Sequence, residues 1–144
     1  MDETPIPGSR VRATTKHGTL TVDEIAEIQP GMARLMDELG RRWATVYLAA
    51  KEGKWDLALY MQKESAMLLR TMALSRPKYR EDLETFSKGF MDPVRQALEG
   101  RDWPRFEGAY DRSVKASDAY HAKYGKGFIH FRVPQDLSGS SWLG

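Results

Sequence analysis

From Met32 onward the apolar residues of this chain fall three and four positions apart. Met32, Met36, Leu39, Trp43, Val46 and Ala50 form the first run. That spacing lays them along one stripe of an α-helix. The helix is expected to start at about Pro30, where a missing N–H has no partner to lose, and to end at Gly53, which can turn left-handed at little cost. Trp55, Leu59, Ala66, Leu69 and Ala73 resume the pattern straight after Lys54, with Met61, Leu68 and Met72 beside the seam. So short a connection predicts antiparallel neighbours. Gln62 interrupts the second stripe and is expected to reach an edge or to bond a backbone carbonyl. Pro77 closes this helix, with Ser75 as its last helical or first loop residue.

Tyr79, Leu83, Phe86, Phe90, Val94 and Ala97 predict a third helix over about 79–98, kinked near Gly89 to Pro93 because a proline there removes one hydrogen bond and crowds the preceding turn. Gly100 is the expected stop. Asp102 and Pro104 form a start signal for a fourth helix, whose stripe is Trp103, Phe106, Tyr110, Val114, Ser117, His121 and Tyr124, ended by Gly125 and Gly127. After it, Phe128 to Val133 is too apolar for a free tail and is expected to fold back over the helices. The last ten residues are expected to be loosely held. Before Pro30, a short extended pair around His17 and Gly18 is conceivable, and Thr21 with Glu24 reads as a capping box for a short helix over Val22 to Ile28.

The segment Ala50 to Trp55 is echoed by Ala97 to Trp103, and Tyr60 by Tyr110. Two similar helical hairpins, each with a stripe it cannot cover alone, pack most simply together. The expected fold is all-α: an irregular N-terminal arm (1–29), an antiparallel up-down-up-down four-helix bundle (30–124) and an extended C-terminal tail packed on it (125–144).

Composition narrows the functions. The chain has 144 residues, 41% hydrophobic and 29% charged, enough for one core that removes roughly 68–70% of the unfolded surface without disulfides or metals. No run approaches the roughly 18 apolar residues of a membrane span, and no secretory signal is visible, so a cytoplasmic location is expected, periplasmic if a signal peptide has been removed. A net charge of +2 and a pI near 8.9 leave no large excess of cations for nucleic acid. Neither nucleic acid nor a membrane is an expected partner. There is no cysteine, which excludes disulfides, thiolate metal sites, cysteine nucleophiles and haem held through thioethers.

One stretch looks like a site. Ser117-Asp118-Ala119-Tyr120-His121 has the outline of the haem-attachment box C-x-x-C-H, with Ser117 and Tyr120 where the cysteines would stand. A four-helix periodicity with such a box near the end of the fourth helix resembles the class II cytochromes c, the cytochrome c′ group, over roughly Met32 to Tyr124. The resemblance implies a bundle with a pocket beside His121, the histidine ligating iron from one side and a residue of the first helix lying on the other. Only the histidine survives of the attachment chemistry.

Three functional classes follow. The first expectation is a non-catalytic, haemless cytochrome c′-like bundle that binds a small ligand or partner protein, its pocket lined by Ser117, Tyr120, Tyr124 and Phe128. The second is b-type haem, held non-covalently by His121 with Met32 or Met36 across the ring. The third is a metal-dependent enzyme using His121, Tyr120, Tyr124 and His130, for which no E-x-x-H pair, nucleophile or phosphate loop stands out. No catalytic residue and no metal ligand set is therefore assigned. The class II cytochromes c often pair through helix faces, and Leu35, Tyr47, Leu48, Leu57 and Met67 are spare apolar positions that could line a homodimer surface or lie under the arm and tail.

Overall fold

The computed structural model describes residues 4–133. The expectation that the last ten residues are loosely held lies outside them. The fold is mostly helical, with one small two-stranded sheet. The chain divides at Gly31/Met32 into two compact units.

In the first unit, β1 (Arg12–Thr15) and β2 (Gly18–Thr21) pair antiparallel with Arg12 opposite Thr21 and Thr15 opposite Gly18. Gly18 carries the positive φ of 135° that the turn requires. The extended pair around His17 and Gly18 therefore forms as a regular hairpin, and residues 4–11 of the described arm, before its first strand, lack a helix or strand. It leads into α1 (Val22–Glu27), and the Thr21–Glu24 capping box is complete: Thr21 Oγ1 accepts from the Glu24 N–H and Glu24 Oε1 accepts from the Thr21 N–H.

The second unit carries α2 (Met32–Lys51), α3 (Trp55–Ser75), a 3-10 turn (Pro77–Tyr79), α4 (Arg80–Phe86), a π-turn (Ser87–Met91), α5 (Asp92–Glu99) and α6 (Trp103–Lys123). The helix expected from Pro30 starts two residues later. The third helical segment is broken as its proline predicts, and the break takes π form. Pro93 has no N–H to give, and the Asp92 N–H reaches five residues back to the Ser87 carbonyl. Asp102 caps α6, its side chain accepting from the Arg105 N–H at 3.2 Å.

Three helix ends close in the same way. After α2, the Lys54 N–H bonds the Ala49 carbonyl and the Gly53 N–H bonds that of Ala50, with Gly53 at φ 74°. After α6, Lys126 bonds His121 and Gly125 bonds Ala122, with Gly125 at φ 74°. After α5, Asp102 bonds Ala97 and Arg101 bonds Leu98. Each is a Schellman closure, in which a left-handed residue lets two N–H groups satisfy the last carbonyls. At the end of α5 the left-handed residue is Arg101 (φ 49°), while Gly100 stays right-handed at φ −80°. α5 stops at Gly100, its C-cap, as expected, but the left-handed residue is the next one. Aligning the hairpins on Trp55 and Trp103 shows why, since Gly53 then matches Arg101. The same alignment separates Tyr60 from Tyr110, and the two differ in burial, 54% against 2% exposed.

α2 packs on α3, α3 on α4 and α5, α5 on α6, and α6 touches α2 again. The core holds Trp43, Val46, Ala49, Ala58, Met61, Met72, Met91, Val94, Leu98, Phe106 and Tyr110. On α3 the buried face is Ala58, Met61, Gln62, Ser65, Leu68, Leu69, Met72 and Ala73, whereas Trp55, Leu59 and Ala66 are only half-buried. The face is rotated from the expected stripe because its polar members have partners: Gln62 Nε2 donates to the Met91 carbonyl beside the π-turn at 3.1 Å, and Ser65 Oγ to the Met61 carbonyl at 2.7 Å. Between α2 and α6, the Trp43 and Tyr110 rings stack 5.4 Å apart. Trp43 Nε1 donates to Ser113 Oγ at 3.0 Å and Tyr110 OH to the Trp43 carbonyl at 2.6 Å. Burial pushes the Tyr110 hydroxyl pKa well above its ordinary value.

Candidate functional site

The core thins along α6. Phe106, Ala109, Tyr110 and Ser113 are buried, but Ser117, Tyr120 and His121 are half-buried and Tyr124 is 41% exposed. The box thus lies in the final turns of the helix, where fewer neighbours reach it. His121 has two distinct roles there. Its carbonyl accepts the closing bond from Lys126 at 2.8 Å, while its ring nitrogen Nδ1 is buried with no hydrogen-bond partner among the described residues. A buried ring nitrogen without a partner forgoes a bond it would make in water.

The tyrosines of the box region face α4 and the 3-10 turn before it. Tyr120 meets Phe86 edge-on, ring centroids 6.0 Å apart at 79°, and Tyr124 meets Tyr79 at 5.0 Å and 89°. The Tyr124 hydroxyl donates to Asp82 Oδ2, which also accepts from Lys123 Nζ at 2.7 Å. The bonds from Lys123 and then Tyr124 hold the Asp82 carboxyl below its ordinary pKa, and the same carboxylate raises those of Lys123 and Tyr124. Asp82 is absent from the sequence-level candidates, because its link to the end of α6 spans 41 residues and no local spacing signals it.

The chain beyond α6 does fold back, through a turn in which the Ile129 N–H bonds the Lys126 carbonyl at 2.9 Å. The turn corrects one expectation. Phe128, expected to line the pocket, stands on the outside of the turn, 80% exposed. Phe131 is the aromatic residue turned inward: it is half-buried against the core, with its ring beside Gly40 of α2. Asp118, inside the box, holds this return, Oδ1 accepting from the Phe131 N–H at 3.4 Å and Oδ2 lying 3.5 Å from His130 Nδ1.

Met32 and Met36 occupy the first turns of α2, half-buried against the core. Haem fits these residues only in part. Thioether attachment does not fit, since Ser117 and Tyr120 carry no sulfur. His121 Nδ1 is one free donor, yet Tyr120 is already packed on Phe86 and Phe131 already lies between Asp118 and Gly40. Among the described residues no three His, Cys, Asp or Glu side chains gather as a metal ligand set. A depression of about 200 Å³ lies elsewhere, at the α2–α3 turn, lined by Gly53, Lys54, Trp55, Asp56, Leu57 and Arg101. It is smaller than the roughly 300–1,000 Å³ of ordinary small-molecule sites. Of the five spare apolar positions, Leu35 and Leu48 are in the core and Tyr47 and Leu57 are packed against it, so Met67 alone is exposed.

No described helix is long and apolar enough to cross a membrane. Comparison with protein families, characterised proteins and solved structures finds no match to this chain.

Proposed function

We propose that this chain is a non-catalytic, haemless bundle of cytochrome c′ type that works by binding a partner protein. In this reading α2, α3, the broken α4–α5 segment and α6 are the four arms of an up-down-up-down bundle. A cytoplasmic location accords with the loss of thioether chemistry. The observation that carries the reading is the use already made of the side chains around His121: Tyr120 is committed to Phe86, Tyr124 to Tyr79 and Asp82, and Phe131 to the α2–α6 groove. Such contacts must break before a flat macrocycle can enter. Partner binding is favoured over small-ligand binding because exposed apolar residues remain on the outer face of α3.

One observation favours a second reading, b-type haem: the buried and unpartnered Nδ1 of His121. Titration of the purified protein with hemin separates the two. The haemless reading expects no stoichiometric Soret band, and the same weak spectrum for the wild type and His121→Ala. A one-to-one band that His121→Ala abolishes would overturn it.

A further inference from the structure

The outer face of α3 carries an apolar ridge with a repeat of seven. Tyr60, Met67 and Leu74 are 54%, 57% and 63% exposed. At about 1.5 Å per residue they stand about 10.5 Å apart, and a 3.6-residue turn keeps them within about 20° of one line. A single exposed apolar side chain is ordinary, but three in heptad register along one helix form the seam a second helix packs against.

The charges beside the ridge identify what it would take. One flank carries Lys63 and Arg70, both exposed and without an ion-pair partner among the described residues. On the other flank, Thr71 turns its hydroxyl back to the Met67 carbonyl at 3.2 Å, and Glu64 lies 3.8 Å from Arg42. At the head of the ridge Asp56 lies 3.6 Å from Arg101. The acids on this face therefore have cations beside them, and two cations are left over. We propose that the ridge Tyr60–Met67–Leu74 is the docking surface for an amphipathic helix of a partner protein that carries carboxylates beside its apolar stripe, where they would meet Lys63 and Arg70. This rests on the partner-binding reading and names its surface and partner chemistry.

A second copy of the chain fits less well. Antiparallel self-pairing about Met67 sets the Lys63/Arg70 flank against itself, four cations together. Parallel pairing places Arg70 opposite the neutral Thr71 and Lys63 opposite a Glu64 already beside Arg42. A lipid surface also fits less well, because interfacial helices present a broad apolar face with cations on both sides, and this ridge is one residue wide with cations on one.

The test uses the full chain and two synthetic helical peptides of 21 residues with the same leucine heptads, one flanked by glutamates and the other by lysines, followed by fluorescence anisotropy. The acidic peptide is expected to bind at least tenfold more tightly than the basic one, and to weaken with salt. Met67→Glu should reduce its binding at least tenfold. The double variant Lys63→Glu with Arg70→Glu should invert the peptide preference while its helical circular dichroism stays unchanged. Equal binding of the two peptides, or indifference to both sets of substitutions, overturns the proposal. So does a homodimer in sedimentation that Met67→Glu dissolves, and so does binding to vesicles containing phosphatidylserine without binding to the acidic peptide. The hemin titration is independent of all these outcomes, so loss of the ridge and loss of the haemless reading are told apart.

Discussion

Arg101 stands where two other helices of this chain end on glycine, and its replacement tests the account of the helix stops directly. Its φ of 49° is needed so that the Asp102 and Arg101 N–H groups can reach the Ala97 and Leu98 carbonyls, at 3.1 Å each. A left-handed conformation costs a residue with a Cβ roughly 1–2 kcal/mol. Glycine avoids that cost but gives back roughly 0.5–1 kcal/mol through its greater freedom in the unfolded chain. The Arg101–Asp56 pair, 3.6 Å apart with side chains 63% and 96% exposed, contributes little in water. Arg101→Gly should therefore stabilise the protein by about 0.5–1 kcal/mol, or roughly 2–4 °C in Tm for a chain of this length.

Urea unfolding followed by tryptophan fluorescence reads the effect as a higher midpoint at constant slope. Arg101→Ala, which removes the charge but keeps the Cβ, should match the wild type, and Gly53→Ala should lose about 1 kcal/mol at the equivalent position. If Arg101→Gly is no more stable than Arg101→Ala, strain at this position is not what limits the α5–α6 turn, and the equivalence of Gly53 with Arg101 fails.

Two further substitutions probe the interior and the end of α6. Gln62 is 1% exposed and its Oε1 has no hydrogen-bond partner among the described residues; an unmet buried oxygen costs roughly 1–3 kcal/mol, against roughly 0.5–1.5 kcal/mol for its bond to Met91. Gln62→Met should thus be neutral or stabilising by up to about 1 kcal/mol in the same urea assay, and a clear loss of stability would refute the reading of that oxygen. Asp82 has a folded pKa lowered from 3.8, chiefly by Lys123, so its contribution is present above that pH and lost as the pH falls through the lower folded value. Near-ultraviolet circular dichroism of the tyrosines should fall more steeply below pH 3.8 in the wild type than in Asp82→Asn, and superimposable acid limbs would show that Asp82 does not hold α4 to α6.

The helices were legible in the sequence because their signals are local. The Thr21–Glu24 box, the Asp102 cap, Ser75 before Pro77 and the break before Pro93 each depend on residues within one turn. What was not legible depends on partners far along the chain. That Gln62 would bond a backbone carbonyl was legible, but not that the carbonyl is that of Met91, 29 residues on. The face of α3 buried with Gln62 leaves Tyr60, Met67 and Leu74 outside. Gly100 does end α5, but the registry of the following tryptophan puts the left-handed position at Arg101. Around the candidate site, Ser117, Tyr120 and His121 were legible from the box. Asp82 and Phe131 were not, since one joins α6 from another helix and the other arrives after a turn whose outward residue, Phe128, is the more conspicuous in sequence.

The altered box is best understood by what its side chains hold together. In a protein that attaches haem, two thioethers and an iron ligand would fix the end of the fourth helix. Here side chains hold the same turns: Tyr120 packs on Phe86, Lys123 and Tyr124 converge on Asp82, and Asp118 holds the Phe131 backbone. Each contact joins α6 to a neighbouring segment. On the proposed reading His121 keeps a structural task through its carbonyl, which accepts from Lys126 and would do so with any side chain at that position. The imidazole alone has no such task, and for that reason the response of His121→Ala to hemin, more than its effect on stability, decides whether the box is a remnant or a ligand.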